Sequence, residues 1–129
     1  MSSLAHLLDV HEDQGVVLAR LAGEVDLANA HDLEETIVAA VPNTALGMVL
    51  DLTTVTYLDS AGVLLLLDLV SRFQWRGQEL ALVAPAESRV RRVLSLAGTE
   101  GVVVLDTTTD EARSRMPRRL EPADGEGQG

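Results

Sequence analysis

Two short apolar segments open the chain, Leu7 to His11 and Val16 to Leu21, joined by the polar run Glu12-Asp13-Gln14-Gly15. A glycine at that joint can take the positive φ of a tight connection, so the pattern predicts a β-hairpin. Past Gly23-Glu24-Val25-Asp26 the apolar period becomes helical. Ala30, Leu33, Ile37 and Val41 fall on one stripe, Asp32, Glu34 and Glu35 lie off it, and Pro42-Asn43 closes the helix. Met48 to Leu52 is a mostly apolar run of strand length, the pattern of a strand covered on both faces and therefore central in its sheet. Thr53 to Ser60 reads as the loop that follows it.

The stretch from Val63 to Arg76 is apolar nearly all round, with Asp68, Ser71, Arg72 and Arg76 forming a narrow polar face, which predicts a largely buried helix. Glu79 to Val83 reads as the next strand. Pro85 introduces a helix with the stripe Val90, Val93, Leu94 and Ala97, ended by Gly98; Val102 to Leu105 reads as the last strand. Thr109-Asp110-Glu111 can cap a short closing helix through Met116, where acids suit the positive helix end. The expected layout is one domain over residues 1–116 and a disordered tail over 117–129, the tail being almost free of apolar residues. Strand and helix alternate after the hairpin, so the fold class is α/β with helices packed on a mixed sheet.

Composition narrows the function. At 129 residues the chain is long enough for one domain, and its formal charge of -10 repels phosphate backbones and anionic membranes. One Tyr, one Phe and one Trp leave almost no stacking surface for single-stranded nucleic acid. The expectation is no nucleic acid, no direct membrane insertion, and a basic or neutral partner. Cysteine is absent, which excludes disulfides, thiolate metal sites and thiol catalysis and fits a cytoplasmic setting. All ten basic residues are arginine, so Schiff-base chemistry and a phosphate-loop lysine are unavailable as well. The apolar run Ala61 to Leu67 is too short to span a bilayer, and residues 1–9 lack the basic start and cleavage pattern of a secretory signal.

Ser60 is the residue that the pattern singles out, because it follows an aspartate and stands just before a strong helix. One reading is an N-cap, satisfying free N–H groups of the first turn; the other is a functional hydroxyl. Asp26 and Asp59 divide the same way, between helix caps and acids that face a partner. Asp51 ends the central strand as a receiver-domain phosphoacceptor would, but the lysine such a site needs is missing. Arg89, Arg91 and Arg92 are either a solvated polar face or a docking patch. His6, His11 and His31 have no metal-ligand spacing and read as surface residues.

Gly23-Glu24-Val25-Asp26, then Val49-Leu50-Asp51-Leu52 with Tyr57-Leu58-Asp59-Ser60-Ala61-Gly62, then Thr109-Asp110-Glu111-Ala112, resemble in order and spacing the STAS domain family and, within it, the bacterial anti-sigma-factor antagonists. The resemblance spans roughly Leu7 to Met116, and its middle element is the specific one. It implies a single STAS-like domain in which Ser60 is the residue phosphorylated by a partner that is both anti-sigma factor and serine kinase. It also implies a partner surface of Asp26, Asp59, Ser60, Ala61 and Gly62, and a PP2C-type phosphatase that resets the switch. The family commonly has a second Ser or Thr where this chain has Ala61, so an alternative acceptor is missing here.

The leading expectation is therefore not an enzyme but a switch in transcription regulation. Unphosphorylated, it sequesters the anti-sigma factor and releases the sigma factor; phosphorylated on Ser60, it lets go. The kinase brings ATP, so the chain needs no cofactor of its own. The alternative is a scaffold subunit of a stress-signalling or lipid-transport assembly. A hydrolase using Ser60 as nucleophile is disfavoured, because the G-x-S-x-G elbow and a nearby histidine base are missing.

Overall fold

The structure, a computed structural model, describes residues 4–118. The expected tail over 117–129 falls almost wholly outside the described residues. The element order is β1 (His6–Asp13), β2 (Val16–Val25), α1 (Ala30–Ala39), β3 (Gly47–Leu58), α2 (Ser60–Trp75), β4 (Glu79–Val83), α3 (Arg89–Leu96), β5 (Leu105–Asp106) and α4 (Thr109–Arg115). The strands form one sheet in the order β1-β2-β3-β4-β5. β1 and β2 pair antiparallel, and the other neighbours pair parallel. This is the mixed sheet opened by a hairpin, with β3 in its middle.

Alternation along each strand divides the apolar side chains between two faces. Met48, Leu50 and Leu52 of β3, with Val17, Ala19 and Leu21 of β2, join the buried side chains of α1, α2 and α3 in one core. Val49, Val16, Ala81 and Val83 point the other way and form a smaller cluster with Ala112 and Met116 of the last helix segment, flanked by Leu18 and Leu46. α4 is clamped there by Arg115, whose Nε and Nη2 donate to the Asp106 carboxylate at 3.0 and 2.5 Å, and this pairing raises the Arg115 pKa. At the end of the sheet where β3 and β4 begin, the Gln78 amide donates to the carbonyls of Pro42 and Ala45, each at 2.9 Å, and fastens the chain between α1 and β3.

Several sequence-based boundaries move. β3 runs on through Leu58, so most of the segment read as the loop Thr53 to Ser60 is strand. The cause is the partner: Ala22, Gly23, Glu24 and Val25 of β2 pair with Thr54, Val55, Tyr57 and Leu58. α2 begins at Ser60 rather than Val63, and it is not covered all round, since Leu64 is 60% and Trp75 is 89% exposed. α3 is capped by Ser88, whose hydroxyl accepts from the Arg91 N–H, so the helix begins later than Pro85. The expected strand Val102 to Leu105 shrinks to Leu105–Asp106, because only these two residues meet a register partner on β4, and Val102 and Val104 are exposed. Thr108, not Thr109, caps α4.

Candidate functional site

The site grows from the meeting of two strand ends, those of β2 and β3. Val25 and Leu58 are register partners, and the Asp59 N–H donates to the Val25 carbonyl at 3.2 Å, so the two loops leave the sheet side by side. Asp59 is the N-cap of α2. Its Oδ1 accepts from the Gly62 N–H at 3.1 Å, and its Oδ2 accepts from the Leu27 N–H at 3.2 Å. One carboxylate thus starts α2 and ties the β2–α1 loop to it.

Gly62 makes this approach possible. A Cβ built there would lie 2.4 Å from Leu58 Cδ1 and 3.1 Å from Val25 Cγ1, far inside contact distance for the first. The first turn of α2 is therefore pressed onto the strand ends, and this fixes Ser60 at the first helical position.

Ser60 is not the cap; that part is played by Asp59, because the aspartate lies in the extended conformation just before the helix. The Ser60 side chain is exposed, and among the described residues its hydroxyl has no hydrogen-bond partner. The N–H groups of Ser60 and Ala61 belong to the first helical turn and have no intrahelical acceptor. An anion carried on the Ser60 oxygen would meet free donors and the positive end of a 16-residue helix.

Asp26 does not cap α1 either. Its Oδ1 accepts from the Ala28 N–H at 3.0 Å and its carbonyl accepts from Asn29 and Ala30, closing a tight turn, while Asn29 occupies the cap position. Asn29 in turn donates from Nδ2 to the Glu24 carbonyl at 2.8 Å and accepts from the Asp26 N–H at 3.0 Å. The turn lifts Leu27 into solvent at 81% exposure, and Leu64 stands out one helical turn beyond Ser60. Between them runs a groove lined by Leu27, Ala30, His31, Glu34, Ala61, Leu64 and Asp68. Asp26, Asp59, Ser60, Ala61 and Gly62 are therefore brought together at one end of the sheet, as a small apolar surface with acidic edges.

Leu27 and Leu64 were not marked by sequence reasoning. The available signal was a leucine inside an otherwise small and polar loop, and a fourth consecutive apolar position in a helix that can bury only part of its circumference.

Asp51 lies within β3 and is occupied locally, accepting from the Thr53 N–H at 2.9 Å and Thr53 Oγ1 at 2.5 Å. The α3 arginines separate. Arg91 donates to the carbonyls of Ala84 at 2.7 Å and Pro85 at 3.3 Å, while Arg89 and Arg92 line a cleft against Tyr57 and Leu58. His6, His11 and His31 are exposed, and among the described residues no three His, Cys, Asp or Glu side chains are grouped to hold a metal ion. No helix among the described residues is long and apolar enough to cross a membrane.

Comparison with known proteins agrees with this geometry. The chain is similar in structure to an anti-sigma factor antagonist from Mycobacterium paratuberculosis, with a TM-score of 0.73 and 27% identity over 90% of this chain and 98% of that one. It shares its fold with the anti-sigma factor antagonist SpoIIAA in its unphosphorylated form, at a TM-score of 0.63 and 22% identity over 83% of this chain and 93% of that one. The phosphorylated form of the Bacillus cell fate determinant SpoIIAA gives a TM-score of 0.59 and 21% identity over 83% of this chain and 96% of that one. The family model for the STAS domain matches residues 8–112, from β1 into α4 and across every element that builds the site, and the chain belongs to the STAS domain family.

Proposed function

We propose that this protein is an anti-sigma factor antagonist that binds its anti-sigma factor through the surface around Ser60, and that phosphate on Ser60 breaks the complex. The observation that carries the reading is the placement of Ser60: exposed, without a hydrogen-bond partner among the described residues, and on the first turn of α2 beside the exposed Leu27 and Leu64. A hydroxyl so placed is open to a kinase, and the fold around it does not depend on its hydrogen bond. Phosphate there adds about -1.5 to -2 charge, which the helix N-terminus stabilises, so the domain stays folded.

Binding does not survive equally well. The dianion stands beside the Asp59 carboxylate on a surface that a partner would desolvate. Two unit charges about 4 Å apart interact by roughly 1 to 4 kcal/mol between water and a protein-surface dielectric, a loss of about fivefold to several hundredfold in affinity. The anti-sigma partner is a serine kinase and supplies the nucleotide; a PP2C-type phosphatase restores the hydroxyl. Asp26 and Asp59 shape the loop on which the partner rests, and Ala61 leaves Ser60 as the sole acceptor in the motif.

The test combines phosphopeptide mapping with calorimetric titration of wild type, Ser60→Ala and Ser60→Asp against the anti-sigma factor kinase. One phosphopeptide containing Ser60, binding by the alanine variant and loss by the aspartate variant are expected. Undiminished phosphorylation of Ser60→Ala, or equal affinity for all three proteins, overturns the reading.

A further inference from the structure

The surface around Ser60 has two electrically different sides. Toward α1 lie Asp26, Glu34, Asp59 and Asp68. On the other side, between the end of β3 and α3, a cleft of about 470 Å³ is lined by Tyr57, Leu58, Val93, Glu87, Arg89 and Arg92. Leu58 joins the two, since it walls this cleft and is also the side chain against which Gly62 of α2 is pressed.

Most described arginines are committed to this chain. Arg20 pairs with Asp9, Arg72 with Glu34, Arg113 with Asp13 and Arg115 with Asp106. Arg91, between the two cleft arginines, is spent on backbone carbonyls of Ala84 and Pro85. Arg89 and Arg92 are exposed and have no acceptor among the described residues. They are three residues apart, hence neighbours on one helix face. In a chain of net charge -10, two uncommitted guanidinium groups side by side form a local reversal of sign.

We propose that this cleft takes an acidic polypeptide segment of the same partner that reads Ser60, an inference that rests on the function proposed above. Two adjacent arginines suit two carboxylates of a chain, while Tyr57, 45% exposed, and the Val93 flank offer apolar contact to the methylenes of glutamate side chains. A compact dianion such as inorganic phosphate is less suited, because the cleft is far larger than that ion. The partner must then present a basic or apolar patch toward Leu27 and Asp26 and an acidic one toward Arg89 and Arg92, which fixes its orientation over Ser60.

The experiment is titration of isotope-labelled protein with a hexaglutamate peptide at low salt, followed by amide chemical shifts. Shifts centred on Tyr57, Arg89, Arg92 and Val93 are expected, with affinity at least tenfold lower in the Arg89→Glu/Arg92→Glu variant and higher in Glu87→Gln. No response in that region, or an equal response to inorganic phosphate at the same concentration, overturns the proposal. In a second arm the same double variant is titrated against the anti-sigma factor kinase; at least a tenfold loss is expected, and wild-type affinity overturns the proposal. Failure of Ser60→Asp to weaken that complex counts against the switch alone, because the peptide arm reads the cleft independently.

Discussion

Asp59 carries two separable tasks on two oxygens, and substitutions can divide them. Its Oδ1 caps α2 through the Gly62 N–H, and its Oδ2 holds the Leu27 N–H across the gap between loops. Loss of an N-cap costs about 1 kcal/mol, loss of a carboxylate at a helix N-terminus about 0.5 kcal/mol more, and loss of an exposed hydrogen bond about 0.5 kcal/mol. Asp59→Ala removes all three and should cost about 2 kcal/mol. Asp59→Asn keeps one acceptor oxygen, which the cap can use, and should cost about 1 kcal/mol, the lost charge and the lost tie to Leu27. In a domain of this size each kcal/mol moves the melting temperature by about 4 °C, so alanine should melt about 8 °C lower and asparagine about 4 °C lower. Amide exchange gives the sharper reading: the Leu27 amide should exchange faster in both variants, and the Gly62 amide only in the alanine variant. Equal melting temperatures for the two variants, or a Leu27 amide unchanged in both, would refute the division of labour.

Gly62→Ala sets helix propensity against packing: alanine gains about 1 kcal/mol in a helix, but a Cβ 2.4 Å from Leu58 Cδ1 costs about 1 to 3 kcal/mol, so denaturant unfolding should show a net loss of about 1 kcal/mol with shifted Ser60 and Leu58 resonances. Asp106→Ala strips both hydrogen bonds from Arg115 and should cost about 1 to 3 kcal/mol in urea unfolding, with increased amide exchange in α4. Trp75 is 89% exposed, so Trp75→Ala should change stability by no more than about 0.5 kcal/mol, and tryptophan emission should hardly move when the protein unfolds.

The sequence alone determined whatever depends on local period. A hairpin, a central apolar strand followed by an amphipathic helix with few polar positions, and the strand Glu79–Val83 are visible because side-chain alternation and the helical stripe are properties of consecutive residues. The motif Asp59-Ser60-Ala61-Gly62 was also legible, as an acid and a hydroxyl at a helix start. Tertiary structure decided what depends on a partner far along the chain. Thr53 to Tyr57 has the polarity of a loop and becomes strand because β2 supplies the ladder; Val102 to Val104 has the polarity of a strand and stays outside the sheet because, on the edge away from β3, β4 pairs with Leu105 and Asp106 alone. The same holds for the site. Asp59 caps α2 through the nearby Gly62 N–H, but that its second oxygen also holds the Leu27 N–H and ties the two loops together is a contact between residues 32 positions apart, which spacing does not show. The separation of Arg91 from Arg89 and Arg92 has the same origin, since the carbonyls that hold Arg91 are brought to it by the end of β4. Spacing tells which residues share a face, whereas only the assembled backbone tells which donors and acceptors remain for something else to bind.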